Sequence, residues 1–191
     1  MHTTIDAITP IFSSESLNTL TRTMRRKRRD RKKPISFREI YESNGLIDAI
    51  WALKTCDNSM QVITYAIDCA EHVQCLYEVQ YSFDLKPREL IKIVRNYILG
   101  KTSEESLKAV RDEARSSFDI ASARASYANR YKTYDSEYIT RLAAAKAAMS
   151  LFHATYANPY LEYAFFAATA AREAAGENEM QWQAQRFLEL F

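Results

Sequence analysis

Four side chains that can bind a metal ion or move a proton follow one another in the stretch "DCAEHVQC". They are Asp68, Glu71, His72 and Cys75. Offsets of three, four and seven residues place them on neighbouring positions of one face if the stretch is helical. Carboxylate, imidazole and thiol groups are all metal ligands. One helix rarely completes a metal site, and His153 is the only other imidazole beyond the N-terminus, so we predict no metal site and no cofactor.

A structural role suits the two acids better. The next predicted helix begins near Pro87 and carries Arg88 and Arg95. If the two helices pack antiparallel, Asp68 or Glu71 can meet a guanidinium, and a partly buried bidentate pair fixes the register of the helices. Removal of one partner would leave an uncompensated charge. We therefore predict structural ion pairs among these four charged residues.

Catalytic motifs are absent from the sequence. It contains no Gly-rich phosphate loop, no G-x-S-x-G and no H-E-x-x-H. Only three histidines are present, and one of them is His2. Cys56, Cys69 and Cys75 form an odd set without C-x-x-C spacing, which is typical of reduced, inert thiols in a cytoplasmic protein. We predict that the protein is not an enzyme.

A basic run, "MRRKRRDRKKP", dominates the N-terminal region. Residues 25–33 carry a charge of +7, whereas the rest of the chain is mildly acidic at about −5. Three interpretations remain open: phosphate contacts with nucleic acid, contact with an acidic protein surface including a second copy of this chain, or a solvated tail. No aromatic residue interrupts the run, so it cannot stack on bases. The candidate binding residues are Arg25, Arg26, Lys27, Arg28, Arg29, Arg31, Lys32 and Lys33.

Tyrosines cluster around two predicted connections between helices. Tyr131, Tyr134 and Tyr138 lie around one connection, and Tyr160 lies in the next. Tyrosine rings often pack at the ends of a bundle while their hydroxyl groups stay hydrated. Because tyrosine is also enriched in binding hot spots, these four residues are candidates for a protein interface.

The elements that position these residues are predicted to be helices throughout. Apolar residues recur at helical spacing, Ala is abundant, and only three Gly and four Pro interrupt the chain. We expect an all-α bundle of roughly seven to nine mostly antiparallel helices. Residues 1–34 are predicted to form a basic helical arm and residues 35–191 a single bundle domain. No secretory signal or membrane span is recognisable, so the protein is expected in the cytoplasm.

Several motifs occur in an order that resembles a bacterial family of putative immunity proteins. They are "DAIWALKTCDNS", "AIDCAEHVQCLYE", "DLKPRELIKIVRNYILGK", "ATYANPYLEYAFFAATAAREAAG" and "WQAQRFLEL". The resemblance begins near Leu46 and leaves residues 1–40 outside. It implies an all-helical, non-catalytic protein that binds and neutralises a toxin. Asp68 and Glu71 fall in the D-C-A-E motif of that family, and Arg88 falls in its P-R motif.

Two functions follow from the sequence. The first is a non-catalytic helical binding protein of the immunity type, whose partner is a protein such as a toxin or another effector. The alternative is a nucleic-acid-associated protein of phage or anti-defence type, in which Arg25–Lys33 contact phosphates. Neither requires a membrane, and both are compatible with an oligomer.

Overall fold

The computed structural model describes residues 1–26, 33–130, 136–156 and 161–191. Eleven α-helices occupy these residues, which confirms the predicted all-α class and exceeds the expected number of helices. Their bounds are α1 (Ile5–Ile8), α2 (Ser14–Arg26), α3 (Phe37–Asn44), α4 (Leu46–Ala52), α5 (Ser59–His72), α6 (Gln74–Gln80), α7 (Lys86–Ile98), α8 (Glu104–Arg130), α9 (Ser136–Tyr156), α10 (Tyr163–Ala175) and α11 (Glu177–Leu190). A 3₁₀ turn, Leu53–Thr55, follows α4.

Helix α9 lies at the centre of the bundle. Helices α8 and α10 pack along it, and α5, α6 and α7 also contact it. Arg111 of α8 donates a hydrogen bond to the carbonyl of Thr155, close to the C-terminal end of α9, so α8 and α9 run antiparallel. Ser150 likewise donates to the carbonyl of Ala167 of α10. Alanines fill these contacts and let the helix axes approach closely; they include Ala114, Ala121, Ala144, Ala148, Ala164 and Ala171, all buried.

A break at Val73 accounts for part of the additional helix count. The periodicity predicts one helix through "MQVITYAIDCAEHVQCLYEVQ", but α5 ends at His72 and α6 begins at Gln74. No Gly or Pro marks the break in the sequence. Val73 and Gln74 are both buried there, and α6 packs on α9. Tertiary packing therefore overrides a continuous local helical pattern.

The first 26 residues pack onto the bundle. Ile5, Ile8, Leu20 and Met24 are buried in the same hydrophobic core as α5 and α9. A two-residue antiparallel ladder joins β1 (His2–Thr3) to β2 (Ile35–Ser36). These strands are too short for alternation to reveal them in the sequence. The proposed division at residue 34 stays a prediction, but the ladder and the core both cross it.

Local signals in the sequence set the ends of several helices. Ser36 and Glu39 form a capping box at the start of α3. The Ser36 hydroxyl accepts from the backbone N–H of Glu39, and the Glu39 carboxylate accepts from the backbone N–H of Ser36. Gly45 follows α3 with φ +85°, a left-handed conformation that favours glycine. Pro87 lies in the first turn of α7. Among the helices of the described residues, none combines the length and apolar character needed to cross a membrane.

Candidate functional site

Asp68 lies at the meeting point of three helices. Its side chain, on α5, is only 6% exposed. Arg95 of α7 contacts one carboxylate oxygen. Arg186 of α11 donates from Nε to the other oxygen over 2.6 Å. Two guanidinium groups therefore compensate one buried carboxylate and tie α5, α7 and α11 together.

More exposed acids complete the pairing of both arginines. Arg95 also contacts Glu71, and Arg186 donates from Nη1 to Glu189 over 2.8 Å. Burial alone would lower the pKa of Arg95, but the hydrogen bonds that Arg95 donates to Glu71 and Asp68 outweigh it and raise the pKa. The hydrogen bond to Glu189 raises the pKa of Arg186 despite partial burial. Both guanidinium groups are held in the charged form.

A second polar contact joins α5 to α11 beside this cluster. Nδ1 of His72 lies 2.6 Å from a carboxylate oxygen of the buried Glu179. The His72 ring also stacks on Trp182, with ring centres 3.9 Å apart and planes within 5°. Gln183 donates to the other oxygen of Glu179 over 3.0 Å, and Arg172 of α10 donates to Gln183 over 3.1 Å. The contacts extend the network from α5 through α11 to α10.

The charged cluster opens to solvent as a shallow groove of about 390 Å³. We define the Asp68 network as the groove residues Asp68, Glu71, His72, Arg95, Trp182, Arg186 and Glu189. The two arginines and the three acids in it pair with one another. Such an arrangement can fix the relative positions of α5, α7 and α11, and it presents paired positive and negative charges at the surface.

The fold changes the grouping of the side chains that the sequence suggested as metal ligands. The break at Val73 places Cys75 on a different helix from Asp68, Glu71 and His72. Burial raises the pKa of Cys69 well above its usual value, so this thiol stays protonated and is a poor nucleophile. Within the described ranges, no group of three or more His, Cys, Asp and Glu residues is arranged to hold a metal ion.

One of the two arginines forms the predicted ion pairs. Asp68, Glu71 and Arg95 come together as the helical spacing suggested. Arg88 does not join them and pairs with Glu78 of α6. Because seven residues separate the two arginines on α7, Arg88 lies about 10 Å further along the helix axis, opposite α6 rather than α5. The prediction for Arg88 was therefore wrong in its partner.

Sequence reasoning missed the contribution of α11. Arg186 reaches Asp68 across a separation of 118 residues, and no local spacing encodes that contact. The i, i+3 pair of Arg186 with Glu189 is visible in the sequence but is also typical of ordinary exposed helices. Glu179 gave no signal either, since a lone acid in a first helical turn usually stabilises the helix dipole.

The other predicted binding residues are only partly described. Arg25 and Arg26 are exposed at the end of α2, and Lys33 is exposed before β2. Lys27, Arg28, Arg29, Arg31 and Lys32 lie outside the described residues, as do Tyr131, Tyr134, Tyr160 and the side chain of Tyr138. The interpretations of the basic run and of the tyrosine interface stay predictions.

His153 of α9 lies in an aromatic cluster outside the Asp68 network. Its ring centre is 5.6 Å from that of Tyr163 and 5.5 Å from that of Phe166. Nδ1 is buried without a hydrogen-bond partner among the described residues. Burial lowers the pKa of His153 from 6.5 to about 4. The fold therefore favours the neutral imidazole.

Stability is expected to fall as the pH drops from about 6.5 to about 4. In that window the unfolded chain protonates His153 while the folded chain does not, so protons favour unfolding. Between pH 7 and pH 5 the loss should be about 2 kcal/mol. Urea unfolding at both pH values measures it. His153→Phe should remove most of this pH dependence, whereas His2→Gln, at an exposed position, should keep it; equal pH dependence in all three proteins would contradict the assignment.

A family model described as "Imm-5 like putative immunity protein" matches residues 53–190. The match covers α5 to α11 and so includes the whole Asp68 network. No match was found among curated proteins, and none among solved structures. The matched region begins after α4, so α1 to α4 and the basic run lie before it.

Proposed function

From the premise that this chain belongs to the Imm-5-like family of putative immunity proteins, we propose that it binds a protein toxin and neutralises it. The observation that carries this proposal is the family match, which confirms the resemblance found in the sequence and spans all the helices from α5 onward. An immunity-type role implies a protein partner. The finer statement, that binding itself neutralises the partner, is our proposal.

The chemistry of the Asp68 network supports binding rather than catalysis as the means of neutralisation. Its acids and arginines pair with each other, which leaves them engaged in holding α5, α7 and α11 together. The thiol beside Asp68 in the chain, Cys69, is buried and held protonated. A general base or nucleophile needs a group with access to substrate and a suitable pKa. Occupation of a toxin surface requires neither.

Co-expression with candidate toxin domains, including any encoded next to its own gene, tests this proposal. We expect the protein to restore growth of cells that produce one of these toxins, and to form a complex with that toxin on size-exclusion chromatography. A toxin from an unrelated pair serves as the control. Continued cell killing together with the absence of any complex would contradict the proposal.

Titration of the purified toxin separates binding from catalysis. A stoichiometric inhibitor should abolish toxin activity only when it is present at about one equivalent, because each molecule occupies one toxin. An enzyme that modifies the toxin would inactivate many equivalents, and the toxin would stay inactive after the two proteins are separated. Toxin recovered from the complex under denaturing conditions and refolded should therefore regain its activity.

A further inference from the structure

The connection between α6 and α7 presents a large aromatic side chain to solvent. Phe83 is 100% exposed, and Val79 and Leu85 on either side of it are 76% and 58% exposed. Single exposed apolar residues are ordinary, but three within seven residues form a concentrated apolar surface. We call residues 81–84 the Phe83 turn.

The Phe83 turn is fixed to the bundle by its neighbours. The backbone N–H of Asp84 donates to the carbonyl of Tyr81 over 2.9 Å. Each oxygen of the Asp84 carboxylate accepts one bond, from the hydroxyl of the buried Tyr77 over 2.7 Å and from the backbone N–H of Lys86 over 3.1 Å. Phe83 is thus displayed from an ordered base, which lowers the entropy cost of using it in an interface.

Two cations flank Phe83. Lys86 and Arg124 line the same surface depression as Phe83, and the Arg124 guanidinium lies over the Tyr81 ring, 5.1 Å from its centre. Among the described residues, no carboxylate lies within ion-pair distance of Lys86 or Arg124. The one acid of the turn, Asp84, directs its oxygens to Tyr77 and the Lys86 backbone. Asp84 lines the same depression, so the apolar surface has a border of two cations and one acid, with a formal net charge of +1.

We propose that the Phe83 turn is the main anchor for the protein partner, with Phe83 inserted into an apolar pocket that carries carboxylates at its rim. This inference rests on the proposed function and names the surface that performs it. A large aromatic residue that fills a pocket near the centre of an interface is typical of binding hot spots. The positive border formed by Lys86 and Arg124 selects an acidic rim and accelerates association.

A toxin domain that the wild-type protein is first shown to bind is the probe for this surface. Phe83→Ala should weaken the affinity at least about 30-fold, as expected for loss of a hot-spot side chain. Phe83→Trp should stay within about threefold of wild type, because a large ring is retained. Lys86→Gln combined with Arg124→Gln should slow association and reduce its dependence on salt. Melting curves should match wild type, since all three side chains lie at the surface.

Met180→Ala is the matched control. Met180 is also an exposed apolar residue, but it lines a separate groove between α3 and α11. Loss of binding in Met180→Ala with retention in Phe83→Ala would overturn the anchor while leaving the proposed function intact. If the wild-type protein binds none of the toxin domains tested, both proposals fall. Binding of wild type but not of Phe83→Ala to anionic lipid vesicles, without a toxin complex, would assign the turn to a membrane instead.

Discussion

Removal of residues 1–34 is expected to unfold the protein. The deletion takes away Ile5, Ile8, Leu20 and Met24, all buried in the core. Burial of each such side chain contributes about 1.5–3 kcal/mol, so the four together approach the whole stability of an ordinary domain, about 5–15 kcal/mol. The deletion also removes β1, the pairing partner of Ile35 and Ser36. Circular dichroism during urea or thermal unfolding should show no cooperative transition.

A charge-only variant provides the control for that deletion. Arg25→Gln, Arg26→Gln and Lys33→Gln together change three exposed side chains and leave the buried residues in place. We expect this triple variant to unfold within about 1 kcal/mol of wild type. A truncated protein that unfolds cooperatively at the wild-type midpoint would instead support the predicted division into an arm and a separate bundle. The comparison thus distinguishes the effect of the buried residues on stability from the effect of the exposed charges.

Asp68→Asn is expected to lower the free energy of unfolding by about 3 kcal/mol. The substitution keeps the size of the side chain but removes the charge on which Arg95 and Arg186 converge. Loss of one partner from a buried pair costs about 3–5 kcal/mol when the remaining charge is uncompensated. Here each arginine keeps a second acid, Glu71 or Glu189, which moderates the loss. Urea unfolding followed by circular dichroism measures the difference.

Glu71→Gln is the matched substitution on the same helix and against the same arginine. The Glu71 side chain is 52% exposed, whereas that of Asp68 is 6% exposed. Exposed ion pairs contribute about 0–1 kcal/mol, so Glu71→Gln should have a small effect. Equal effects of the two substitutions would show that burial is not what makes Asp68 important. A loss below about 1 kcal/mol for Asp68→Asn would contradict its central place in the packing of α11.

Contacts between neighbouring helices could be predicted from the sequence, and distant contacts could not. Asp68 and Arg95 are 27 residues apart on consecutive predicted helices, so helical period and antiparallel packing were enough to bring them together. Arg186 approaches the same carboxylate from the far end of the chain, where many alternative packings share the same local pattern. The break at Val73 was hidden for a related reason, because α5 and α6 both pack on α9, which lies far from them in the sequence.

The N-terminal region combines a buried apolar stripe with a conspicuous basic run. Leu20 and Met24 lie on one apolar stripe of α2 and are buried in the core. The basic residues that follow this stripe were the reason for predicting an arm. Helical periodicity indicates which face of a helix is buried, but it does not indicate which element covers that face. The exposure of Phe83 could not be predicted from the sequence, because nothing in the neighbouring residues distinguishes an exposed ring from a buried one.

The late position of α11 in the chain has a consequence for biosynthesis. Phe187 of this helix packs against Tyr65 of α5 and Tyr41 of α3, and Arg186 compensates Asp68. During translation all of these earlier side chains leave the ribosome before their partner exists. The nascent chain therefore carries an open apolar cleft and an incompletely paired buried acid until α11 emerges. Until then α3 and α5 expose apolar surface that α11 later covers, and such surface is prone to aggregation in partly folded chains.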